Sequence, residues 1–396
     1  MGKQSKRMEV FELPTRYYPS DTLSLHELSY WIAFSRVSGI GPARFKLLLD
    51  FFHDDVELAW RASMKDLAQA GLDSKTIESF LQQRTTINPA HELERMERLR
   101  IQVITWKDDS YPPLLRKIDY APPVLYLCGQ LADDDREFTM GIVGTRKMSS
   151  YGRQVTEHFT RELVQGRVTI VSGLALGVDT VAHTTALDTG GRTIAVLACG
   201  LDTIYPSENY RLAKRIVESG QGVLLTAYPL GVRPEAGNFP ARNHIISGLS
   251  QGIIVTEAPQ KSGSLITANS ALTQGREVFA VPGNIFSPGS SGPNKLIRDG
   301  AHAISDINDI LSNLNYFMLP QQPSQSTLAS EIVPDNEEQK ILLQNLGREP
   351  LHVDELIRVS ALPADVVIAT LTFMELTGMV NQVGSMQYIR GTMSPR

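Results

Sequence analysis

Residues 140–183 read MGIVGTRKMSSYGRQVTEHFTRELVQGRVTIVSGLALGVDTVAH. The stretch opens on a short apolar run, Met140-Gly141-Ile142-Val143, and breaks at Gly144-Thr145-Arg146-Lys147. A segment of helical length follows, then a β-branched run at Thr169-Ile170-Val171 and a second break at Ser172–Gly177. Strand, turn, helix, strand, turn is how parallel strands are joined, because parallel neighbours cannot be linked by a tight hairpin. The runs are apolar almost throughout instead of alternating, which strands buried on both faces require.

Further short runs lie to either side, and segments of helical length separate most of those from Met140 onward. Upstream runs lie at Val103-Ile104-Thr105 and Val124–Leu127. Downstream runs lie at Thr193–Leu197, Val223-Leu224-Leu225, Ile253-Ile254-Val255 and Val278–Val281. Residues 90–311 are therefore expected to form an α/β core, a doubly wound sheet with helices on both faces. Residues 23–89 are helical in pattern, with Leu25, Leu28, Trp31 and Ile32 at helix spacing. Within them, Val37-Ser38-Gly39-Ile40-Gly41-Pro42 has two glycines around one apolar residue, the pattern of a helix-hairpin-helix turn. Its backbone N–H groups and the next helix's N-terminus suit a phosphate, but the same turn joins helices that bind no DNA. Residues 1–22 read as a flexible tail and the Pro/Gln/Ser-rich 312–334 as a linker. Residues 335–393 carry three helical segments and a hairpin around Gly384-Ser385, a small winged helix.

Composition narrows the function. At 396 residues the chain needs two or three domains. No apolar run approaches the roughly 20 residues of a membrane span. The basic start lacks an apolar signal core, and the two cysteines, Cys128 and Cys199, sit apart in apolar runs that read as strands. A cytoplasmic protein with buried thiols is expected. The net charge of -5 argues against broad coating of duplex DNA, so any nucleic-acid contact must come from a local pocket.

Ligands of parallel α/β sheets bind at the carboxyl ends of strands, and four such ends are polar here. Arg146 and Lys147 follow Gly144, whose small size lets backbone approach a ligand, and a guanidinium there suits phosphate. Ser172 and Gly173 open a turn that resembles a dinucleotide fingerprint but departs from its spacing. Phe239-Pro240-Ala241-Arg242-Asn243-His244 combines an aromatic ring with cationic and amide groups, the pairing a single strand needs for stacking and backbone charge. Lys261, Gly263, Ser264 and Thr267 form the fourth, where Ser264 also reads as a simple N-cap. Asp179 and His183, four apart, fit a hydrogen-bonded structural pair better than a metal site lacking a third ligand. No catalytic triad order, zinc spacing or Walker lysine is present, so no catalytic residue, metal or cofactor is expected.

The ordered series VGTRKMSSYG, SGLALGVDTVAH, FPARNHIISGLS, SGSLITA and VFAVPG resembles the bacterial DNA-processing protein A (DprA/Smf) family, from about Leu23 to Ile389. The resemblance implies an N-terminal helical domain similar to SAM and helix-hairpin-helix modules, an extended Rossmann-like core and a C-terminal winged helix. It implies binding of incoming single-stranded DNA, protection from nucleases, loading of the recombinase RecA in natural transformation, and a homodimer through the core. Family contacts map to Arg146, to Phe239, Arg242 and Asn243, and to Gly263-Ser264. Two positions depart from the common pattern: His244 replaces an arginine, and Thr226-Ala227 replaces Ser-Glu. The alternative is a nucleotide-phosphate hydrolase of the lysine-decarboxylase-like Rossmann group, but Ser262–Asn269 lacks that group's catalytic carboxylate. Duplex-specific transcription control conflicts with the acidity of residues 331–396.

Overall fold

The computed structural model describes residues 6–7, 22–133, 135, 138–314, 336–346, 351–376, 379–384 and 386–390. The chain forms two compact units, Met1–Met318 and Leu319–Arg396. Apart from Thr22 and from Lys6–Arg7, which pairs with Thr203–Ile204, the expected tail lies outside the described residues, as do most of the expected linker and Ser385.

The first unit is built on a nine-stranded sheet. Its strands are β1 (Gln102–Thr105), β2 (Val124–Gly129), β3 (Thr139–Val143), β4 (Thr169–Ser172) and β5 (Thr193–Val196). They continue with β6 (Gly222–Thr226), β7 (Gly252–Val255), β8 (Glu277–Ala280) and β9 (His302–Ala303). Successive residues point to opposite faces, and the core follows that rule. Val143, Val171, Ile253 and Val255 join one apolar cluster, while Ile142, Ile170 and Ile254 join another on the opposite face. Each apolar run read in the sequence is a strand; the two-residue β9 was missed because it carries no such run.

The spatial order is β9-β8-β7-β3-β4-β5-β6-β2-β1. Strands β9 through β6 are parallel, as expected. β2, which precedes the helix-separated runs that begin at Met140, is antiparallel to both its neighbours, β6 and β1. The 106–123 link between β1 and β2 is rich in proline and holds only the short helix Pro113–Arg116, so it supplies no crossover helix of ordinary length. From β3 the chain winds outward through β4, β5 and β6, then returns to lay β7 on the far side of β3. That reversal opens a crevice at the carboxyl ends of β7, β3 and β4.

The N-terminal helices are α1 (Leu25–Ser35), α2 (Pro42–Phe51), α3 (Val56–Arg61), α4 (Met64–Gln69), α5 (Ser74–Arg84) and α6 (Pro89–Arg98). Ser24, Asp55, Ser63 and Asp73 accept from N–H groups in the first turns of α1, α3, α4 and α5, satisfying donors a helix start leaves open. Trp31, Phe34, Phe45 and Phe80 share one core with Tyr126, Cys128 and Ala195 of the sheet. Ser35 Oγ lies 2.6 Å from Tyr126 Oη across that junction. Helices and sheet thus belong to the same packed unit.

The helices flanking the crevice are α7 (Ser150–Gln165), α8 (Val178–Asp188), α9 (Tyr210–Glu218), α10 (Asn238–Leu249) and α11 (Ser264–Thr273). In the second unit, α12 (Glu337–Asn345), α13 (Val353–Ser360) and α14 (Ala364–Leu376) pack with the strands Leu351–His352, Val380–Gly384 and Gln387–Arg390. Leu342, Leu356, Val367, Leu371 and Met374 form its core, and three helices with a wing-like sheet make the expected winged helix. No single helix among the described residues is long and apolar enough to cross a membrane.

Candidate nucleic-acid interface

The turn after β3 is held from both sides. Thr145 N–H donates to Glu257 O at 2.7 Å, and Val178 N–H donates to Thr145 O at 3.2 Å. Gly177, at φ +83°, packs so closely that a Cβ there would stand 2.3 Å from Thr145 O and 2.8 Å from Arg146 Cα. This scaffold turns Arg146 and Lys147 outward, where both are exposed. Arg146 forms no ion pair among the described residues; its guanidinium carbon lies 5.4 Å from the centre of the Phe239 ring. The room expected for a ligand at Gly144 is taken by the protein itself, since a Cβ there would meet Val178 and Glu257 O at 2.5 and 2.7 Å.

Glu257 fills a second position that a nucleotide would otherwise use. Its Oε2 accepts from Ser149 N–H at 2.8 Å at the start of α7, and a Cβ on Gly152 would stand 1.9 Å from that oxygen. A helix N-terminus next to the first switch-point strand is where dinucleotide folds seat phosphate. Here it already carries the protein's own carboxylate.

Arg242 is the least exposed cation of the site, at 5%. It leaves α10 toward the sheet, where Nη1 donates to Gly173 O and, at 2.6 Å, to Val196 O. Its Nε donates to Asn243 Oδ1 at 3.2 Å, and its guanidinium carbon lies 5.7 Å from the Phe239 ring centre. A Cβ on Gly173 would come within 2.4 Å of the guanidinium, so glycine at this position makes room for arginine. Burial lowers the guanidinium's pKa, and the charge of Asp179 partly offsets the effect. Asp179 in turn is raised by burial against the opposing pull of Arg242. A buried arginine keeps its charge.

Asp179 and His183 do hold the structure, although through the backbone and not through each other. Asp179 Oδ2 accepts from Gly173 and Ala175 N–H at 3.0 and 3.3 Å. Leu174, in the left-handed region at φ 55°, donates its N–H to His183 Nε2 at 3.3 Å. The other nitrogen therefore carries the proton and donates to Thr193 Oγ1 at 2.7 Å, whose hydroxyl donates to Ile170 O. Burial first, and Arg242 second, push the His183 pKa down to about 3. In the unfolded chain an imidazole accepts a proton near pH ~6.5. This contribution to stability is complete above that value and is lost as pH falls toward the folded pKa. The raised Asp179 works in the opposite sense, gaining stability as it binds its proton. Replacing His183 by Gln should flatten the wild-type loss of stability between about pH 6.5 and 4, followed by denaturant melts. An unchanged acid slope would contradict the assignment.

These loops enclose a cleft of about 340 Å³. Arg146, Phe239, Arg242, Asn243, Gly263, Ser264 and Thr267 all line it. Asn243 Nδ2 donates to Gly263 O at 3.3 Å, tying α10 to the α11 turn. Open space lies where a Gly263 Cβ would stand, unlike at Gly144, Gly173 and Gly177. Ser264 is not the N-cap: Gly263 is, and Ser262 Oγ accepts from Ser264 N–H at 3.3 Å. Thr267 is buried on the cleft wall, while Lys261 is exposed just before the lining residues.

Ser172, Gly173 and His244 have other surroundings. Ser172 is fully buried and donates to Ile142 O at 2.7 Å. Gly173 has given its N–H to Asp179 and its carbonyl to Arg242. His244 faces away from the cleft, with Nε2 donating to Asp119 O at 3.0 Å and Nδ1 accepting from Gln274 Nε2 at 2.9 Å. Tyr205, whose ring stands 5.9 Å from Phe239, was missed because it arrives from a distant loop without a motif. Both cysteines are buried with pKa values pushed up to about 12, though Cys199 lies beyond the end of β5 and not in a strand. Among the described residues no group of three or more acidic, histidine or cysteine side chains is placed to hold a metal.

Fold and site together define an extended Rossmann-like protein with a cationic, aromatic cleft at its switch point and a separate winged helix. Residues 102–315 match the family described as DNA recombination-mediator protein A, and residues 322–385 match the DprA winged helix domain. The chain is 38% identical to Protein Smf of Synechocystis over 92% of its length and 99% of that protein's. It is 41% identical to Protein Smf of Escherichia coli, covering 80% and 84% of the two chains. The X-ray structure of DNA processing protein A from Streptococcus pneumoniae superposes with a TM-score of 0.63 at 34% identity, covering 74% of this chain and 98% of that one. The chain belongs to the DNA recombination-mediator protein A (DprA/Smf) family of DNA-processing proteins.

Proposed function

We propose that the chain binds single-stranded DNA in the switch-point cleft, shields it from nucleases and passes it to the recombinase RecA. The observation carrying this reading is the convergence of the exposed Arg146, the Phe239 ring and the open Gly263–Ser264 turn on one cleft. Arg146, with Lys147 and Lys261 beside the cleft, takes the phosphates, Phe239 stacks a base, and Asn243 and Ser264 supply polar contacts. Arg242, Ser172 and Gly173 act from beneath by fixing the loops, and Thr267 forms part of the cleft wall. Relatives in Bacillus subtilis and Streptococcus pneumoniae carry the name DNA processing protein DprA, which supports the DNA reading. Hand-over to RecA and a homodimer through the core belong to the same proposal and follow from the family resemblance.

The hydrolase alternative is disfavoured by Glu257, which occupies the α7 start that a nucleotide phosphate would use. Phosphate release from nucleoside monophosphates, measured beside strand binding, separates the two. Binding without release is expected, and turnover at enzyme-like rates would favour the hydrolase. The acidic winged helix is assigned to a protein contact. Deleting residues 331–396 should leave single-strand affinity largely intact; a loss of about tenfold, or about 1.4 kcal/mol, would place that domain on the DNA.

A further inference from the structure

A second cavity, of about 520 Å³, lies on the opposite face of α10. Phe239, Asn243 and Ile246 line the cleft, whereas Ala241, His244 and Ile245 line this cavity, so one helix divides the two. Its remaining walls come from the N-terminal helices and from the segments around Tyr120 and Tyr228. Its volume falls within the range of small-molecule sites. Three features bear on its occupant. Trp31, Phe34 and Phe45 line its deep end with buried rings. Tyr120 stands 70% exposed. The helix-hairpin-helix turn, through Ile40, Gly41 and Pro42, brings the start of α2 to the same wall.

We propose that this cavity receives a base of the same DNA strand that the cleft holds, the strand crossing the first turns of α10 between them. The inference rests on the single-strand reading of the cleft. Aromatic walls suit a base because every base offers a π-face, and stacking tolerates sequence. With the base inside, its phosphate faces outward near Gly41 and the α2 start, where backbone N–H groups favour an anion. A base can enter only when unstacked, so the cavity selects single strands over duplex.

Photo-crosslinking with an oligonucleotide of 4-thiothymidine, mapped by mass spectrometry on the full chain, tests this. Crosslinks are expected both in the peptide bearing Phe239 and in peptides bearing Trp31, Tyr120 or Tyr228. Ala227 lines the cavity but not the cleft. Ala227→Phe should therefore abolish the cavity crosslinks, spare those at Phe239 and weaken strand binding by about tenfold, the scale of a single base stack. Tyr120→Ala, exposed and thus neutral to folding, should also reduce cavity crosslinking. Crosslinks confined to the Phe239 peptide in wild-type protein overturn the cavity proposal and leave the cleft reading standing. Cavity crosslinks that survive Ala227→Phe in a folded variant also overturn it. Absence of crosslinks from both places refutes the cleft reading, and this inference with it.

Discussion

Replacing Arg146 by Ala is expected to weaken single-strand binding by about tenfold to a hundredfold on every sequence, without lowering the melting temperature. Arg146 is exposed, makes no ion pair among the described residues and lies over the Phe239 ring. Its removal leaves no buried group unpaired. The turn that carries it is fixed by backbone bonds with Glu257 and Val178 and by Gly177, none of which involves the guanidinium. The effect should be uniform because phosphate carries no sequence information. The dependence of log K on log salt should become shallower by about 0.7, the share of one phosphate that no longer meets a cation. Fluorescence anisotropy across a salt series reads both quantities. Wild-type affinity in the variant would remove Arg146 from the interface.

Arg242→Ala is expected to act chiefly on the fold, costing about 3–5 kcal/mol of stability. The substitution orphans the carbonyls of Gly173 and Val196 and leaves Asp179 buried without its neighbouring cation. It also empties the space against which Gly173 is packed. Arg242→Lys should rescue little, since an ammonium lacks the planar fork that meets two carbonyls while lying over Phe239. Denaturant melts measure the loss. DNA binding should fall as well, because the loop beneath Arg146 loosens, although the stability loss comes first. A variant as stable as wild type that fails to bind DNA would make Arg242 a ligand contact instead.

The contrast between these arginines marks where sequence reading stops. The strands are legible because burial on both faces leaves apolar runs, and the strand ends identify the switch-point loops. Arg146 and Arg242 look alike in sequence, each close to a glycine or proline at an element end. Only the packed structure separates them: Gly177 turns one outward, and Gly173 admits the other beneath the loop. Gly144 misleads for the same reason, since a glycine that makes room for Val178 reads like one that makes room for a ligand. His244 lies one residue after Asn243 yet on another helix face, and its partners Asp119 and Gln274 lie more than a hundred residues upstream and thirty downstream. The antiparallel edge escapes because strand direction depends on the connection and not on the strand's composition.

In the proposed function, one cleft on an acidic protein holds a single strand through backbone charge and base stacking. The most direct measurement compares the affinity of full-length protein for single-stranded and duplex DNA of equal length across a salt series. Clear preference for the single strand at every salt concentration, with affinity falling steeply as salt rises, is the predicted result. Equal affinity for both forms, or binding indifferent to salt, would contradict it.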